Sequence, residues 1–571
     1  MKLSVNILVF FTLVFVISCK NSLELKLGQK VNPGAYSLNT GTSFWWCNES
    51  NLNKCVESSM DFMAPVIRFP GGLDANIYHM DGSGYGIRIK PDKSIDIQKS
   101  VEKEERKGNQ SLEKNGNSND QTLNRSKDNT LRESNDKIST EKDIYEDSED
   151  KMLSFDKDES NQRSQKGKKW AKDPRDLAYP GGKNIIGNVI KFCKSSGTKM
   201  LFTCNMNDAT YEENKDVLDT LIKSGVDVVG IELGNEFYLR IYQDSKYPSV
   251  SHYVDTARYY TERLRKDFPG LKIGIIAAPL KVIASNQKRV KYYDEWNKGI
   301  AKEDFYDAFI VHHYSKNENC ACDDFSDDGQ RTDSFNCHHT AMQEELISWF
   351  SEGLKTYKAL FPDKKMWLTE WSTTMLHKCY GNTQVGNLYY AAYQNEVSYR
   401  HNDFIEIATH HNWLGNGIHY PIITLNKKGE FERRSSSHIF SLLKPIYQGR
   451  ETYTVDMPEV VLSNLPATVK SYAYYQPGTD SITSNIFLVL VNFGNTPSVF
   501  KLPESSAVLE GKVFNLNSGT YSSVYADELF ASTGVPGFGK TSVSDIKFNN
   551  GETKGEIKLE KYSVVLVSFK N

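Results

Sequence analysis

Val229-Gly230-Ile231-Glu232-Leu233-Gly234-Asn235-Glu236 and Met366-Trp367-Leu368-Thr369-Glu370-Trp371 are the two stretches on which the reading of this chain turns. Each is a short apolar run, rich in β-forming residues, that ends on a glutamate. Six more runs of the same kind lie around them, at residues 36–40, 66–69, 200–204, 272–277, 308–313 and 405–410. With 228–233 and 365–369 they make eight candidate strands. Helical patterns separate them. Residues 251–268 carry apolar and aromatic positions at helical spacing, and 341–361 end against Pro362 as a stop signal. Strand and helix alternating eight times predicts an α/β fold, a (β/α)8 TIM barrel.

Beyond the barrel the pattern changes. After about residue 446 short alternating runs at 469–475, 486–492, 512–516 and 563–569 are separated by Gly, Pro, Asn and Ser, which predicts a C-terminal all-β sandwich. A strand at 23–27 precedes the barrel and can join that sandwich. Between Pro91 and Trp170, 36 of 80 residues are charged, more than twice the density elsewhere, and only Tyr145, Phe155 and Trp170 are aromatic. Such a segment buries too little apolar area to offset its ordering entropy, so it reads as a long disordered insertion. Its 19 acidic and 17 basic residues nearly cancel, which argues against an electrostatic docking arm. It leaves the second strand on the loop side, so a solvated low-complexity insert and a removable cover, cut near Lys166, Lys168 and Lys169, both stay open. The expected organisation is a signal peptide at 1–19, the N-terminal strand and first part of the barrel at 20–90, the insertion at 91–170, the rest of the barrel at 171–445 and the sandwich at 446–571.

The N-terminus carries Lys2, an apolar run and then Ser18-Cys19-Lys20, the pattern of a signal peptide. Val16-Ile17-Ser18-Cys19 also resembles a bacterial lipobox, which would make Cys19 a lipidated anchor. No later segment is long and apolar enough to span a membrane. The expected location is therefore secreted or extracellular. Eight cysteines remain after Cys19, an even number that suits disulfides in an exported chain. Cys47 with Cys55 is the easiest pair, and Cys320, Cys322, Cys337 and Cys379 can form two more. A zinc site from Cys320, Cys322, Cys337 and His338 or His339 is the competing reading. Asn48, Asn109 and Asn124 head glycosylation sequons. Lysine plus arginine number 69 against 72 acidic residues, a net charge of −3, so the chain is not built to neutralise a phosphate backbone, and nucleic acid is not expected as a partner.

In a barrel of this kind chemistry gathers at the C-terminal ends of the strands, where the following loops converge. Glu236 and Glu370 end the fourth and seventh candidate strands, and a pair of carboxylates across one mouth can serve as acid/base and nucleophile. Asn-Glu ending strand four and Glu ending strand seven resemble clan A of the glycoside hydrolases. The resemblance spans roughly residues 36–450. It implies that Glu236 is the general acid/base, that Asn235 hydrogen-bonds the sugar hydroxyl beside the anomeric carbon, and that Glu370 is the nucleophile of a retaining double displacement. Arg68-Phe69-Pro70-Gly71-Gly72 is similar to the strand-two end of families 51 and 79. Leu233-Gly234-Asn235-Glu236 with His312-His313-Tyr314 is similar to the heparanase-like family 79, whereas Trp371 after the nucleophile is closer to the arabinofuranosidases of family 51. No metal or organic cofactor is implied, and the implied partner is an oligosaccharide or polysaccharide.

Around that pair, Arg68 is expected to favour the ionised form of Glu370, with the Tyr314 hydroxyl holding it in line. His312 and His313 alternate faces; His313 is assigned with Tyr314 to the substrate side. Trp371 and Trp413 are expected to be flat platforms for a sugar ring, and Trp45 and Trp46 are ambiguous. Glu232 shares the strand parity of Glu236 and reads as a structural carboxylate inside the barrel. Asn205 and Asn207 read as residues that shape a turn. A catalytically inactive carbohydrate-binding or adhesion protein on the same scaffold is the alternative function.

Overall fold

In the computed structural model, the described residues are 22–80, 185–280, 287–315, 328–373, 384–415, 421–426, 429–479, 483–516, 518–526, 541–548 and 555–571. The signal peptide, the lipobox cysteine, the charged insertion and the sequons at Asn109 and Asn124 lie outside them.

Two short strands, β1 (Ser22–Glu24) and β2 (Lys26–Lys30), open the described chain. Eight parallel strands then close into a barrel: β3 (Ser37–Asn39), β4 (Val66–Phe69), β5 (Lys199–Thr203), β6 (Val228–Glu232), β7 (Lys272–Ile276), β8 (Ala308–Ser315), β9 (Lys365–Thr373) and β10 (Ile405–His411). All eight expected strands are present, most of them shifted by one or two residues. Helices α1 (Leu52–Ser59), α2 (Ile185–Ser196), α3 (Tyr211–Lys223), α4 (Val250–Asp267) and α5 (Gln287–Ala301) lie between them in sequence. The expected helix at 341–361 is longer and interrupted: α6 (Asp328–Ser348) passes through a π-helical turn at Trp349–Gly353 into α7 (Leu354–Leu360). Two further helices follow, α8 (Gln384–Asn395) and α9 (Ser435–Tyr447).

The barrel interior is packed rather than hollow. Trp367 of β9 lies across it, and glycines on the facing strands make the room. A Cβ at Gly230 would sit 2.6 Å from the indole Cη2, and one at Gly274 would sit 2.6 Å from Cε3. The indole Nε1 donates to Glu406 Oε2 on β10 at 2.9 Å. Glycine within these strands therefore marks a close approach, as it often does in sheets.

The C-terminal region is a β-sandwich. Its larger sheet has seven strands and takes β2 at one edge, so the N-terminal segment closes onto the C-terminal one as expected. β1 pairs in parallel with Ser506–Leu509 in a smaller sheet. Ile486, Leu488 and Leu490 on Asn485–Asn492 face the sandwich core with Phe500, Phe514 and Val565. Their neighbours Phe487, Val489 and Val491 are also buried, and α8 packs against this strand. A strand buried on both faces reads as a continuous apolar run, and Ile486-Phe487-Leu488-Val489-Leu490-Val491 is one.

Cys47 and Cys55 form the expected disulfide. Cys337 on α6 is also disulfide-bonded, while Cys320, Cys322 and Cys379 lie outside the described residues. Cys193 and Cys204 are free and buried, so the even count does not translate into complete pairing. Burial pushes the Cys193 thiol up to about 12, which makes it an inert apolar side chain rather than a nucleophile.

Candidate active site

Glu370 reaches the barrel mouth because β9 carries one extra residue. Val311 and His312 of β8 pair with Leu368 and Glu370, and Ala408 and His410 of β10 pair with Leu368 and Trp371. Both neighbours skip Thr369. Since Trp367 points inward, strict alternation would send Glu370 outward and Trp371 inward. The bulge reverses the phase, as bulges near functional sites do when they re-aim a side chain.

Once inside, Glu370 is held by three donors. Arg68 Nη1 donates to Oε1 at 2.6 Å, and the Gly72 backbone N–H donates to the same oxygen at 3.0 Å. The Tyr314 hydroxyl donates to Oε2. Arg68 is itself fully buried; its Nε donates to Glu232 Oε2 at 2.8 Å and its Nη2 to Asn235 Oδ1 at 2.8 Å. Glycines bring the loop after β4 this close. A Cβ at Gly71 would fall 1.8 Å from Asn39 Oδ1, and Gly72 has a positive φ of 63°. Burial opposes charge on Glu370, but His312, His411, Arg68 and the Tyr314 hydroxyl outweigh it and hold the carboxyl well below the usual range. His411 is itself held below the ordinary imidazole value by burial, so Arg68 and His312 carry most of that effect near neutrality.

Glu236 comes from a tight turn after β6. Gly234 has a φ of 88°, and a Cβ there would lie 2.0 Å from the Phe237 ring, so only glycine fits. Glu236 itself adopts a positive φ of 49°, a conformation that costs a non-glycine residue about 1–3 kcal/mol and is typical of functional turns. Asn76 fixes the turn from outside the barrel strands: Asn235 N–H donates to Asn76 Oδ1 at 2.9 Å, and Asn76 Nδ2 donates to Asn235 O at 2.6 Å. Glu236 Oε1 accepts from the Tyr238 hydroxyl at 2.9 Å and lies 2.8 Å from His312 Nδ1. Burial, with Glu236 alongside, pushes Tyr238 well above the usual phenol value, so its hydroxyl stays a donor.

His312 joins the two carboxylates. Its Nδ1 lies 2.8 Å from Glu236 and 3.7 Å from Glu370 Oε2, and its Nε2 lies 3.2 Å from Thr369 Oγ1. Burial works against a charged imidazole, yet Glu370 and Glu236 outweigh it and raise His312 above its ordinary value. One carboxylate oxygen from each glutamate and one His312 nitrogen all fall within 4.8 Å of one another. Three such ligand atoms resemble a cation site, but the Arg68 guanidinium already supplies the positive charge on Glu370 and would repel a metal ion.

Of the residues expected here, the structure brings Glu236, Glu370, Asn235, Arg68 and Tyr314 together, and Glu232 takes the inward position foreseen for it. Three do not join them. His313 faces the helix layer, where Nδ1 meets the Tyr393 hydroxyl at 2.9 Å, Nε2 meets Glu345 at 3.3 Å and the ring stacks on Trp349 at 3.8 Å. Trp371 is fully buried and stacks on Tyr393 at 4.4 Å. Trp413 is fully buried against Phe192, with its Nε1 donating to Ser59 Oγ at 3.0 Å. Neither indole presents a face to a ligand. Trp46 is buried as well. Asn205 Oδ1 accepts from the N–H groups of Asn207 and Asp208, which is the turn-shaping role. His312, His411, Asn76 and Tyr238 are the residues that sequence reading missed. For His312 a signal existed: two residues before inward Tyr314, it shares that face.

A family 51 arabinofuranosidase from Xanthomonas axonopodis pv. citri superposes with a TM-score of 0.56 at 13% identity, covering 96% of this chain and 99% of its own. A thermostable family 51 α-L-arabinofuranosidase from Thermotoga petrophila gives 0.54 at 13% identity, over 96% and 100%. One from Bifidobacterium longum gives 0.54 at 12%, over 96% and 99%. Barrel and sandwich are thus shared along the whole length of these chains. At such identities the likeness establishes the fold alone. No protein-family model matches the sequence, and no curated protein matches it.

Proposed function

We propose that the protein is a retaining glycoside hydrolase acting on an extracellular glycan, with Glu370 as nucleophile and Glu236 as acid/base. One observation carries the proposal: oxygens of the two carboxylates lie within 4.8 Å of each other across the barrel mouth. Retaining enzymes need carboxyl groups about 5–5.5 Å apart, whereas inverting ones hold them about 6.5–9.5 Å apart to admit a water. The two groups are also held differently, as two roles demand. Glu370 receives an arginine, a backbone N–H and a phenol, all stabilising the anion. Glu236 instead accepts from a phenol and meets an imidazole nitrogen.

The geometry assigns the atoms. Glu370 Oε1 is anchored twice, by Arg68 and Gly72. Oε2 lies toward His312 and hence Glu236, so it is the oxygen that attacks the anomeric carbon. As that bond forms, Glu236 gives its proton to the departing glycosidic oxygen. In the second half-reaction Glu236 takes a proton from water, whose oxygen attacks the same carbon and frees Glu370. Asn235 has a donor to offer. Arg68 can only donate, so the Asn235 oxygen must face it, which leaves Nδ2 without a partner among the described residues and able to bind a sugar hydroxyl. The signal-like N-terminus and the Cys47–Cys55 disulfide support export.

A panel of aryl glycosides, with arabinofuranosides first because the fold neighbours are arabinofuranosidases, tests this. Glu236→Ala should lose about 10²–10⁴-fold in rate and recover with azide, yielding a glycosyl azide of unchanged anomeric configuration. Glu370→Gln should be inactive and not rescued. Full activity in Glu370→Gln rejects the proposal.

A further inference from the structure

Among the described residues no indole lines the strand-ten end of the site, but one ring does reach it. His410 and His411 are consecutive on β10 and point opposite ways. His410 is fully buried among Trp371, Tyr390 and Phe440. His411 is only partly buried, and its ring stands at 81° to Tyr314 with centroids 6.0 Å apart. Tyr314 is the residue whose hydroxyl holds Glu370 Oε2.

Two glycines border the same ring. A Cβ built on Gly72, whose N–H binds Glu370, would approach only His411 Cε1, at 3.9 Å, among the described residues. One built on Gly41 would meet Asn412 Nδ2 at 3.2 Å and that same carbon at 3.5 Å. Both glycines have positive φ, 63° and 45°. Among the described residues, the imidazole edge is therefore what borders Gly72 and, through its N–H, the anchored oxygen of Glu370. The charges that act on His411 are those of Glu370, Arg68, His312 and Glu236, the whole catalytic cluster.

We infer that His411 is a specificity-determining residue: it borders the glycosyl unit attacked by Glu370 and hydrogen-bonds one hydroxyl of that sugar. This rests on the glycosidase reading above. An indole in this position would select by stacking on an apolar sugar face. An imidazole offers a smaller face and a polar nitrogen, so it selects by a directional contact, and sites built that way discriminate strongly against analogues lacking the hydroxyl.

The test uses the full chain as wild type, His411→Phe and His411→Gln, with the best aryl glycoside and its set of monodeoxy analogues. Thermal unfolding of each variant is recorded alongside. On the parent substrate His411→Phe should lower kcat/KM about tenfold, the worth of one hydrogen bond, and His411→Gln should recover part of that. On one deoxy analogue, and only one, His411→Phe and wild type should agree within about twofold, because the contact is already absent. A folded His411→Phe within about twofold of wild type on the parent overturns the inference, as does an equal loss on the parent and every analogue. If His411→Phe does not fold, His411→Gln against the same analogues decides by the same criterion. A wild type that cleaves no glycoside defeats the glycosidase reading itself, whereas active enzyme with indifferent His411 variants defeats this inference alone.

Discussion

Replacing Arg68 with methionine removes the one cation shared by two buried carboxylates, and the consequence can be worked out from the contacts. Unit charges about 4 Å apart attract by about 4 kcal/mol at an effective dielectric near 20. Arg68 contacts both Glu232 and Glu370, its full charge acts on each, and an arginine at such a distance typically holds a carboxyl down by about one to three pH units. Glu370 must be ionised to attack. In the wild type its ionisation is favoured, so the acid limb of kcat/KM lies well below the usual carboxylate range. In Arg68→Met that limb should move upward by about one to three units, with a lower plateau rate. Stability follows the same sign. A carboxyl whose folded value is depressed contributes stability above its unfolded value and loses it as pH falls through the folded one. The variant should therefore be weaker than wild type by about 3–5 kcal/mol at neutral pH, where two buried charges lack their partner. The gap should narrow in acid as Glu370 takes up a proton. A pH–rate profile from about pH 3 to about pH 8, with calorimetry at both ends, measures both quantities. A folded Arg68→Met whose acid limb coincides with that of wild type would refute the electrostatic account of Glu370.

Other substitutions separate chemistry from packing. Gly274→Ala would place a methyl 2.6 Å from Trp367 and should cost about 1–3 kcal/mol by overpacking, seen as a lower unfolding midpoint with unchanged KM; an unchanged midpoint would mean the barrel floor is loosely filled. Trp413→Ala should cost about 3–5 kcal/mol in stability while leaving the KM of the folded fraction alone, and a raised KM would restore Trp413 as a sugar platform. His312→Gln should reduce kcat by about tenfold or more, with a changed pH profile, because it removes the group linking the two glutamates. Since burial is outweighed and His312 is raised when folded, its charge contributes stability below about pH 6.5 that is lost as pH rises through the folded value. That loss should vanish in His312→Gln. His313→Gln should instead weaken the fold through Glu345 and Trp349 and leave the pH profile in place.

What the chain discloses before any coordinates divides along a physical line. Strands of a closed parallel barrel are buried on both faces, so they appear as short continuous apolar runs, and all eight were legible. Glu236 and Glu370 were legible because carboxylates at the ends of such runs are costly unless a partner meets them. Facing is another matter. It depends on counting residues by twos, and a count fails wherever a strand carries an extra residue. At β8 the count holds: Tyr314 inward places His312 inward and His313 against the helix layer. At β9 it does not hold. Nothing in Leu368-Thr369-Glu370-Trp371 announces that both neighbouring strands pass over Thr369, and no pairing of the eight runs taken singly would reveal it. The bulge is a property of three strands together. It turns Glu370 into the mouth and Trp371 into the helix layer with the same step, so an inward glutamate and an inward tryptophan side by side were never compatible. At the end of β10 the same alternation packs His410 on the outward Trp371 and turns His411 toward Tyr314, whose hydroxyl holds Glu370.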